Sequence, residues 1–326
     1  MVTQEKNLWD NLDISEDLVH SFNNLNPTEY YGLVTDAVNP NNLEAISRQL
    51  ELIDLPDGVL VSVAGSDGKL EQHAQSKTEL IVIQEESSLN GDVILQDFFG
   101  SEHYLELFDT GPCGVIDTKS LDQNVPLSYA FGDANTAYPD RTLNMFPLHP
   151  LTESGLDLYL RTRERTLEEM SRDKSIKGKL KDQLRSYKRS MKTGEFRHIP
   201  IFDYSRHVQY YSEMWPAYST GFKTAFLRAV QRKLDLLTIN LGSTKDWNEV
   251  AREMPTTTLG RLEYLAEANV ITRNSAVLTA EAYAWFLQQY HYIQEVYKIN
   301  QEPTELPFDP VLFERYSQSI EHFSNF

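Results

Sequence analysis

The sequence predicts an α+β protein, in which a small mixed sheet is followed by an all-helical region. Between residues 59 and 150, short apolar runs alternate with turns, a pattern typical of strands: VLVSVAG, ELIVIQ, YLELF and CGVIDT. These runs are too few and too closely spaced for a full doubly wound domain, so a small mixed sheet with flanking helices is expected. From about residue 151 onward, the pattern becomes helical.

The chain divides into three predicted units: residues 1–55, 56–150 and 151–326. The first is an acidic, helical N-terminal extension. Ser15 is a candidate helix cap there, and Asn41-Asn42 precede the helical pattern LEAISRQLELI. The turn sequence DLPDG, residues 54–58, separates this extension from the strands of the second unit.

The third unit contains several predicted helices. Two charged segments, LDLYLRTRERTLEEM and IKGKLKDQLRSYKRSM, are rich in helix-forming residues with charges four positions apart. The segment GFKTAFLRAVQRKLDLLTINLG is strongly amphipathic, and Gly242 is its predicted end. Residues 258–268 and 279–297 are predicted to form two further helices.

Composition and charge argue against several classes of protein. No run of the 326 residues approaches the roughly 18 consecutive apolar residues of a membrane span, and the polar, acidic start lacks a secretory pattern. The net charge of −18 argues against general binding to nucleic acid. The single cysteine, Cys113, excludes a disulfide framework within the chain, and we expect a reducing, cytoplasmic location.

The charge is unevenly distributed. Residues 161–197 contain thirteen of the thirty lysines and arginines but only six acids. Two interpretations remain open at this point. The segment is either the solvated face of a long helix, or a cationic wall that faces a nucleoside triphosphate or an acidic partner.

Residues 61–83, VSVAGSDGKLEQHAQSKTELIVI, have the layout of a nucleotidyl-transfer site. A strand-like run leads to Gly65-Ser66 at a turn, and a polar stretch then precedes a second apolar run. Enzymes with this layout hold the triphosphate with Gly-Ser, and Mg²⁺ with two carboxylates on alternate, same-face positions of the next strand. Here those positions are Lys77 and Glu79, so a cation replaces the first carboxylate.

The polar stretch GSDGKLEQHAQSKTE resembles a family signature, Gly-Ser-Glu-Gly-Arg-x-Glu-Gln followed by Thr-Asp-x-Asp. That signature belongs to nucleotidyltransferases related to the N-terminal domain of the PII-protein uridylyltransferase. The identical positions are Gly65, Ser66, Gly68, Glu71 and Gln72. Where the family has a metal-binding aspartate, this sequence has Lys77.

The resemblance covers roughly residues 55–300. LFDTGPCGVIDTKSL is similar to a later family strand, which puts a third carboxylate at Asp109, although Glu106 and Asp117 lie close by. GFKTAFLRAVQRKLDLL resembles a family helix with a lysine near its start, here Lys223. TTTLGRLEYLAEANVITRNSAVLTAEAYAWFLQQYHYIQ is similar to the family's helical C-terminal substrate-binding domain.

The resemblance implies a nucleotidyltransferase-like domain that binds a nucleoside triphosphate with Mg²⁺ or Mn²⁺ in a cleft closed by the helices. Glu79 and Asp109 would be the catalytic and metal-binding carboxylates. Arg141, in YPDRTLN, stands between the sheet region and the helices, where it reaches a phosphate or forms a structural ion pair. The implied nucleotide-binding residues are Gly65, Ser66, Lys77, Arg141 and Lys223. An acceptor hydroxyl of a protein or small molecule would attack in line.

Lys77 leaves two functions open. A lysine can neutralise phosphate charge, but it cannot bridge phosphate and acceptor oxygens as a metal ion does. The protein is therefore either an enzyme that uses Glu79 and Asp109, or a degenerate relative, a pseudoenzyme that senses a nucleotide or binds a partner protein. Glu79 and Asp109 are otherwise ordinary acids at strand ends. His291 is predicted to be a packed or surface residue rather than a ligand, and the aromatic residues around it to be core residues rather than a stacking platform.

Overall fold

The structure, a computed structural model, describes the following residues: 25–64, 68–71, 80–86, 89–91, 93–95, 114–117, 141–148, 152–193, 223–241, 245–300 and 309–325. They form helices around one four-stranded sheet, so the predicted α+β class is found. Within these ranges, no helix is long and apolar enough to cross a membrane.

The described chain begins with a helix whose N-terminus is capped by reciprocal hydrogen bonds between side chains and backbone. In α1 (Pro27–Leu33), the Asn26 side chain accepts hydrogen bonds from the backbone N–H groups of Thr28 and Glu29, at 3.1 and 3.0 Å. The Glu29 carboxylate in turn accepts from the Asn26 backbone N–H at 3.1 Å. This reciprocal cap, with Pro27 at the first helical position, fixes where the helix starts.

The helix then continues through a π-helical turn (Val34–Val38) into α2 (Asn39–Leu50). The prediction that a helix starts at Asn41-Asn42 is therefore wrong, because both residues lie inside α2. Pro40 explains the irregularity, since a proline lacks the N–H that a regular helix would use at that position. The predicted cap at Ser15 lies outside the described residues.

The sheet has the strand order β3-β2-β1-β4 and mixed direction. Its strands are β1 (Val59–Val63), β2 (Leu80–Gln84), β3 (Gly114–Asp117) and β4 (Phe146–Pro147). β1 is antiparallel to both of its neighbours, while β2 and β3 are parallel. The mixed sheet expected from the sequence is thus found, with strands in three of the four predicted runs; YLELF lies outside the described residues.

Helices cover both faces of the sheet. Alternate residues of β1 and β2 point to opposite sides, as the pleat of a strand requires. One side packs on α2 and the other on α3 (Glu153–Arg172). All five residues of β2 are buried, which explains why this strand is a continuous apolar run in the sequence.

β4 was not predicted, because a proline such as Pro147 usually indicates the end of a strand. A proline has no N–H to donate, but an edge strand has one side without a partner strand and therefore accepts it. β4 is two residues long and pairs with β1 through Ser62↔Pro147 and Val63↔Phe146.

The chain beyond residue 151 is helical in its described parts, as predicted. The helices are α3 (Glu153–Arg172), α4 (Lys174–Thr193), α5 (Arg228–Leu241), α6 (Trp247–Glu253), α7 (Thr258–Glu267), α8 (Arg273–Asn300) and α9 (Pro310–Asn325). A second π-helical turn (Lys223–Leu227) leads into α5. α6 was not predicted, and α8 begins six residues before the predicted start; the predicted end at Gly242 lies outside the described residues.

The centre of the helical region is α8, against which α1, α7 and α9 pack. Phe286 of α8 stacks on Phe226 with their ring centroids 4.0 Å apart. Arg163 joins α3 to the end of α6, because its guanidinium donates to the carbonyl oxygens of Ala251 and Met254 at 2.7 and 2.8 Å. Burial lowers the pKa of Arg163.

Candidate functional site

Three strand ends meet at one edge of the sheet. Val63, the last residue of β1, pairs with Leu80, the first of β2. Ile81 of β2 is in register with Gly114, the first residue of β3. The chain therefore leaves β1 and enters β2 and β3 at the same edge. In the sequence, the predicted phosphate-binding and carboxylate positions are the residues that flank these strand ends.

Five of the predicted site residues lie outside the described residues: Gly65, Ser66, Lys77, Glu79 and Asp109. Their assigned roles remain predictions. The described part of the motif is the turn of residues 68–71, just beyond Gly-Ser, and it explains how this loop is held.

The turn at Gly68 leaves no room for a side chain. A Cβ at this position would collide with the carbonyl oxygen of Asn144 and lie 2.9 Å from that of Val63. The Gly68 N–H donates to the carbonyl oxygen of Ala64 at 3.1 Å, which closes the turn directly after β1. Leu70 then adopts a left-handed backbone with φ of 57°, a conformation that costs a leucine about 1–2 kcal/mol. Other contacts must offset this strain.

Glu71 supplies those contacts through a buried carboxylate that is 3% exposed. Its Oε1 accepts hydrogen bonds from the Tyr31 hydroxyl at 2.6 Å and from the Thr258 backbone N–H at 3.0 Å. Its Oε2 accepts from the Tyr283 hydroxyl at 2.6 Å. One side chain thus joins the loop after β1 to α1, α7 and α8.

The position of the carboxylate explains why its burial is tolerated without a cation. Thr258 is the first residue of α7, and Thr257 caps this helix by accepting from the Gly260 N–H at 3.3 Å. The carboxylate therefore lies at the positive end of a helix dipole, where a negative charge is stabilised. Hydrogen bonds to an ionised group are also about twice as strong as those between neutral groups.

The two tyrosines show the electrostatic effect of this charge. The pKa values of Tyr31 and Tyr283 are both raised well above 10, first by burial and then by the nearby negative charge of Glu71. Both hydroxyls therefore stay protonated and act as donors at neutral pH. The Tyr283 oxygen also accepts from the side chains of Gln231 and Thr258, at 2.8 and 3.2 Å.

His291 is a packed residue, as predicted, and it lies beside Glu71. It is 2% exposed, and its Nε2 lies 3.0 Å from the Glu71 carbonyl oxygen. Because a carbonyl oxygen only accepts, Nε2 carries a hydrogen, and the Tyr30 hydroxyl lies 2.8 Å from Nδ1 on the other side of the ring. Trp285, Phe286 and Tyr290 are core residues, also as predicted.

A second buried network connects the sheet edge to the helices. Arg261, 1% exposed, donates to the side-chain oxygen of Asn144 at 2.9 Å and to Asp235 Oδ1 at 3.0 Å. Arg232 donates to Asp235 Oδ2 at 2.8 Å. Asn144 is also the residue whose carbonyl oxygen faces Gly68. The loop after β1 is therefore enclosed from two directions.

The two remaining predicted site residues, Arg141 and Lys223, are described. Arg141 is half-buried in the helical turn that leads to β4. Lys223 begins the π-helical turn before α5, and its ammonium lies 5.3 Å from the centre of the Tyr290 ring, in a cation–π contact with α8. These two residues lie on separate segments, one before β4 and the other before α5.

A divalent metal ion prefers oxygen ligands from several residues. Among the described residues, no group of three or more His, Cys, Asp or Glu side chains could hold one. The predicted ligands Glu79 and Asp109 lie outside the described residues, so the metal site stays a prediction.

Sequence reasoning noted Glu71 as a match to the family signature but gave it no role. It missed Tyr31, Tyr283 and Arg261 as partners of the loop. The available signal was that both GSDGKLEQ and TTTLGRLEY resemble segments of the same family. The structure brings these two segments into contact through Glu71 and Thr258.

No protein-family model matches the sequence, and no curated protein matches it.

Proposed function

We propose that this protein binds a nucleoside triphosphate at the sheet edge where β1 ends and β2 and β3 begin, and transfers the nucleoside monophosphate to a hydroxyl group. The acceptor is a protein or a small molecule. The observation that carries the proposal is the anchoring of the loop after β1 by Glu71, at the edge to which the sequence assigns Gly65-Ser66.

A fixed loop supports phosphate binding for a physical reason. Phosphoryl and nucleotidyl transfer depend mainly on positioning and on stabilising charge, so the groups that hold the phosphates must be rigid. Gly68, the left-handed Leu70 and buried Glu71 hold the turn through contacts with four other segments of the chain. A loop with only a connecting role needs none of this support.

The sheet supports the proposal in a second way. Two carboxylates can act on one phosphate only if their segments converge, and β2 and β3 start side by side in parallel. Glu79 precedes β2 directly, and Asp109 lies five residues before β3. Their roles as acid residues of the transfer site rest on the resemblance.

The test is incorporation of radiolabel from α-labelled ATP, GTP, CTP or UTP, with Mg²⁺ or Mn²⁺, into cell-extract proteins and small hydroxyl compounds. We expect transfer with one of the four nucleotides, and a loss of at least about 100-fold in Glu79→Ala and Asp109→Ala, because removal of one charged group of such a site costs this much. Glu267→Ala, an exposed acid at the end of α7, is the matched control and keeps full activity. Transfer that survives both site changes would contradict the proposal.

Lys77 supports a second candidate, a protein that senses a nucleotide without chemistry. An ammonium in place of the first carboxylate repels a metal ion and attracts phosphate. On this alternative, a nucleoside triphosphate raises the melting temperature equally with and without EDTA and no product forms, because a ligand stabilises the state that it binds. Gain of transfer in Lys77→Asp would identify this residue as the reason for inactivity. A melting temperature unchanged by all four nucleotides would exclude both candidates.

A further inference from the structure

The outer face of α4 (Lys174–Thr193) carries an unusual concentration of positive charge. The helix has eight basic residues and one acid, in a chain with a net charge of −18. Its apolar residues face the core, where Ile176, Leu180 and Leu184 are buried. Five of the basic residues repeat at helical spacing on the opposite side and form what we call the basic stripe: Lys174, Lys181, Arg185, Lys188 and Lys192. From first to last, it is about 27 Å long.

Within the described residues, three of the five charges of the basic stripe have no acidic partner. Arg185 pairs with Asp182 at 2.7 Å, but both side chains are more than 70% exposed, and such pairs contribute little. Lys192 pairs with Glu321 of α9 at 3.0 Å. In the part of the chain that the structure describes, Lys174, Lys181 and Lys188 form no ion pair. Like charges three and four residues apart, as in Lys181 and Arg185, destabilise a helix.

A further lysine approaches the stripe from the neighbouring helix α5. The side chain of Lys233 is only 5% exposed, and no hydrogen bond or ion pair is formed by it within the described ranges. Burial and then the positive charge of Lys188 lower its pKa. The boundary of α4 and α5 is therefore short of negative charge, and an anion bound there would relieve the repulsion.

The chemistry of the stripe limits which anion fits. It contains no aromatic or apolar side chain, so it offers nothing to insert into a bilayer or to stack on nucleic-acid bases. Carboxylates of α4 itself and of the neighbouring helix α9 border the stripe, since Asp182 pairs with Arg185 and Glu321 pairs with Lys192. A broad polyanion such as a duplex or a membrane surface would meet those carboxylates, whereas a single peptide segment need not.

We propose that the basic stripe binds an acidic segment of another protein. Carboxylates repeat about every 6 Å along one face of a helix, and about every 7 Å along one face of a strand. The helical spacing matches the four-residue steps of the stripe, from Lys181 to Arg185 and from Lys188 to Lys192. A second copy of this chain packed stripe to stripe about a two-fold axis is not the occupant, because like charges would then face each other. The inference does not depend on nucleotidyl transfer.

The test is the fluorescence anisotropy of a labelled ten-residue glutamate peptide, titrated with the full-length protein in 50 mM salt. The triple variant Lys174→Gln, Lys181→Gln, Lys188→Gln should bind about tenfold more weakly, since three exposed charge pairs are lost. A matched triple, Arg48→Gln, Arg252→Gln, Arg273→Gln, changes the net charge equally at exposed sites elsewhere and should stay within about twofold of the parent. Binding of the parent should weaken strongly at 300 mM salt.

Competition identifies the class of partner. Unlabelled glutamate peptide should displace the probe at lower charge concentration than a 20-base-pair DNA duplex or vesicles that contain phosphatidylserine. The proposal is overturned if the peptide does not bind at 50 mM salt, if both triple variants bind equally, or if the duplex or the vesicles compete better. Lys233→Met provides an independent measurement, because it removes the positive charge of α5 that lies behind Lys188. This variant should bind the peptide about threefold more weakly.

Discussion

Two buried carboxylates, Glu71 and Asp235, hold the same junction but differ in what balances their charge. Asp235 accepts from two guanidinium groups, Arg232 at 2.8 Å and Arg261 at 3.0 Å. Glu71 accepts from two tyrosine hydroxyls and one backbone N–H, and within the described residues it pairs with no cation. The Asp235 site is an ion cluster with two guanidinium groups, whereas the Glu71 site is a negative charge at a helix N-terminus with no cation among its described partners.

The difference teaches that one chemical change should have unequal consequences at the two sites. Replacing a carboxylate by an amide keeps shape and volume but removes the charge. At Asp235, this change would remove the carboxylate that two buried guanidinium groups share. At Glu71, it would leave only hydrogen-bond groups to be satisfied again. Removing one partner of a buried ion pair costs more than losing a buried hydrogen bond.

The largest effect is therefore expected for Asp235→Asn. The carboxylate that Arg232 and Arg261 share would lose its charge, and removing one partner of a buried pair costs about 3–5 kcal/mol. Urea unfolding followed by circular dichroism measures the loss. Asp182→Asn, the same change at a side chain that is 72% exposed, is the control and should alter the free energy of unfolding by less than about 0.5 kcal/mol. Equal loss in both variants would show that the ion cluster contributes nothing.

A smaller loss, about 1–3 kcal/mol, is expected for Glu71→Gln. The new amide group would donate towards the Tyr283 oxygen, which already accepts from Gln231 and Thr258. One of these three donors must then go without its acceptor. The same urea experiment measures the loss, and a larger effect here than in Asp235→Asn would reverse the comparison between the two sites.

How much of this junction can be predicted from the sequence depends on how far apart along the chain the contacting residues lie. β1, β2 and β3 are short runs in which Val, Ile and Leu predominate, and this pattern is local, so all three were predicted. Glu71 stands in a polar stretch that looks exposed, and its burial depends on Tyr283, which is 212 residues away in the chain. No local pattern records such a pairing.

Asp235 and Arg232 illustrate the same limit. Their spacing of three residues on a helix is typical of an exposed surface pair. Arg261, from another helix, completes the cluster, and all three side chains are buried.

The start of α8 was missed for a different reason. Thr272 caps it by accepting from the Ser275 N–H at 3.1 Å, and this weak polar signal precedes the apolar pattern. The predicted carboxylates Glu79 and Asp109 lie outside the described residues, so the junction and not the transfer site is what the structure adds.

Alkaline pH should weaken the Glu71 site selectively. The pKa values of Tyr31 and Tyr283 are raised in the folded protein, so both keep their protons at a pH where the unfolded chain releases them. Their contribution to stability is complete below about pH 10 and falls as the pH rises above it, by up to about 1.4 kcal/mol per pH unit for each tyrosine. Urea unfolding between pH 9 and 11 measures the slope.

The variant that isolates this effect is Tyr283→Phe, which removes one titrating hydroxyl. Its slope above pH 10 should be shallower than that of the parent, whereas Tyr187→Phe, the same change at a partly buried tyrosine of α4, is the control and should keep the parent slope. Lysines titrate in the same pH range, but they are common to all three proteins. Identical slopes for Tyr283→Phe and the parent would mean that the hydrogen bond to Glu71 does not keep the Tyr283 hydroxyl protonated in the folded protein.

The smallest effect is the difference between the two tyrosines themselves. Tyr31→Phe leaves Glu71 Oε1 with the Thr258 N–H, so only about 1 kcal/mol should be lost. Tyr283→Phe leaves Oε2 without its only donor among the described residues, and it also removes the acceptor of Gln231, so the loss should be about 2 kcal/mol. Urea midpoints at pH 7 resolve a difference of this size when the two variants have equal denaturant slopes. If Tyr31→Phe were the more damaging change, α1 and not α8 would be the main support of the loop, and the carboxylate would depend on the N-terminal helix.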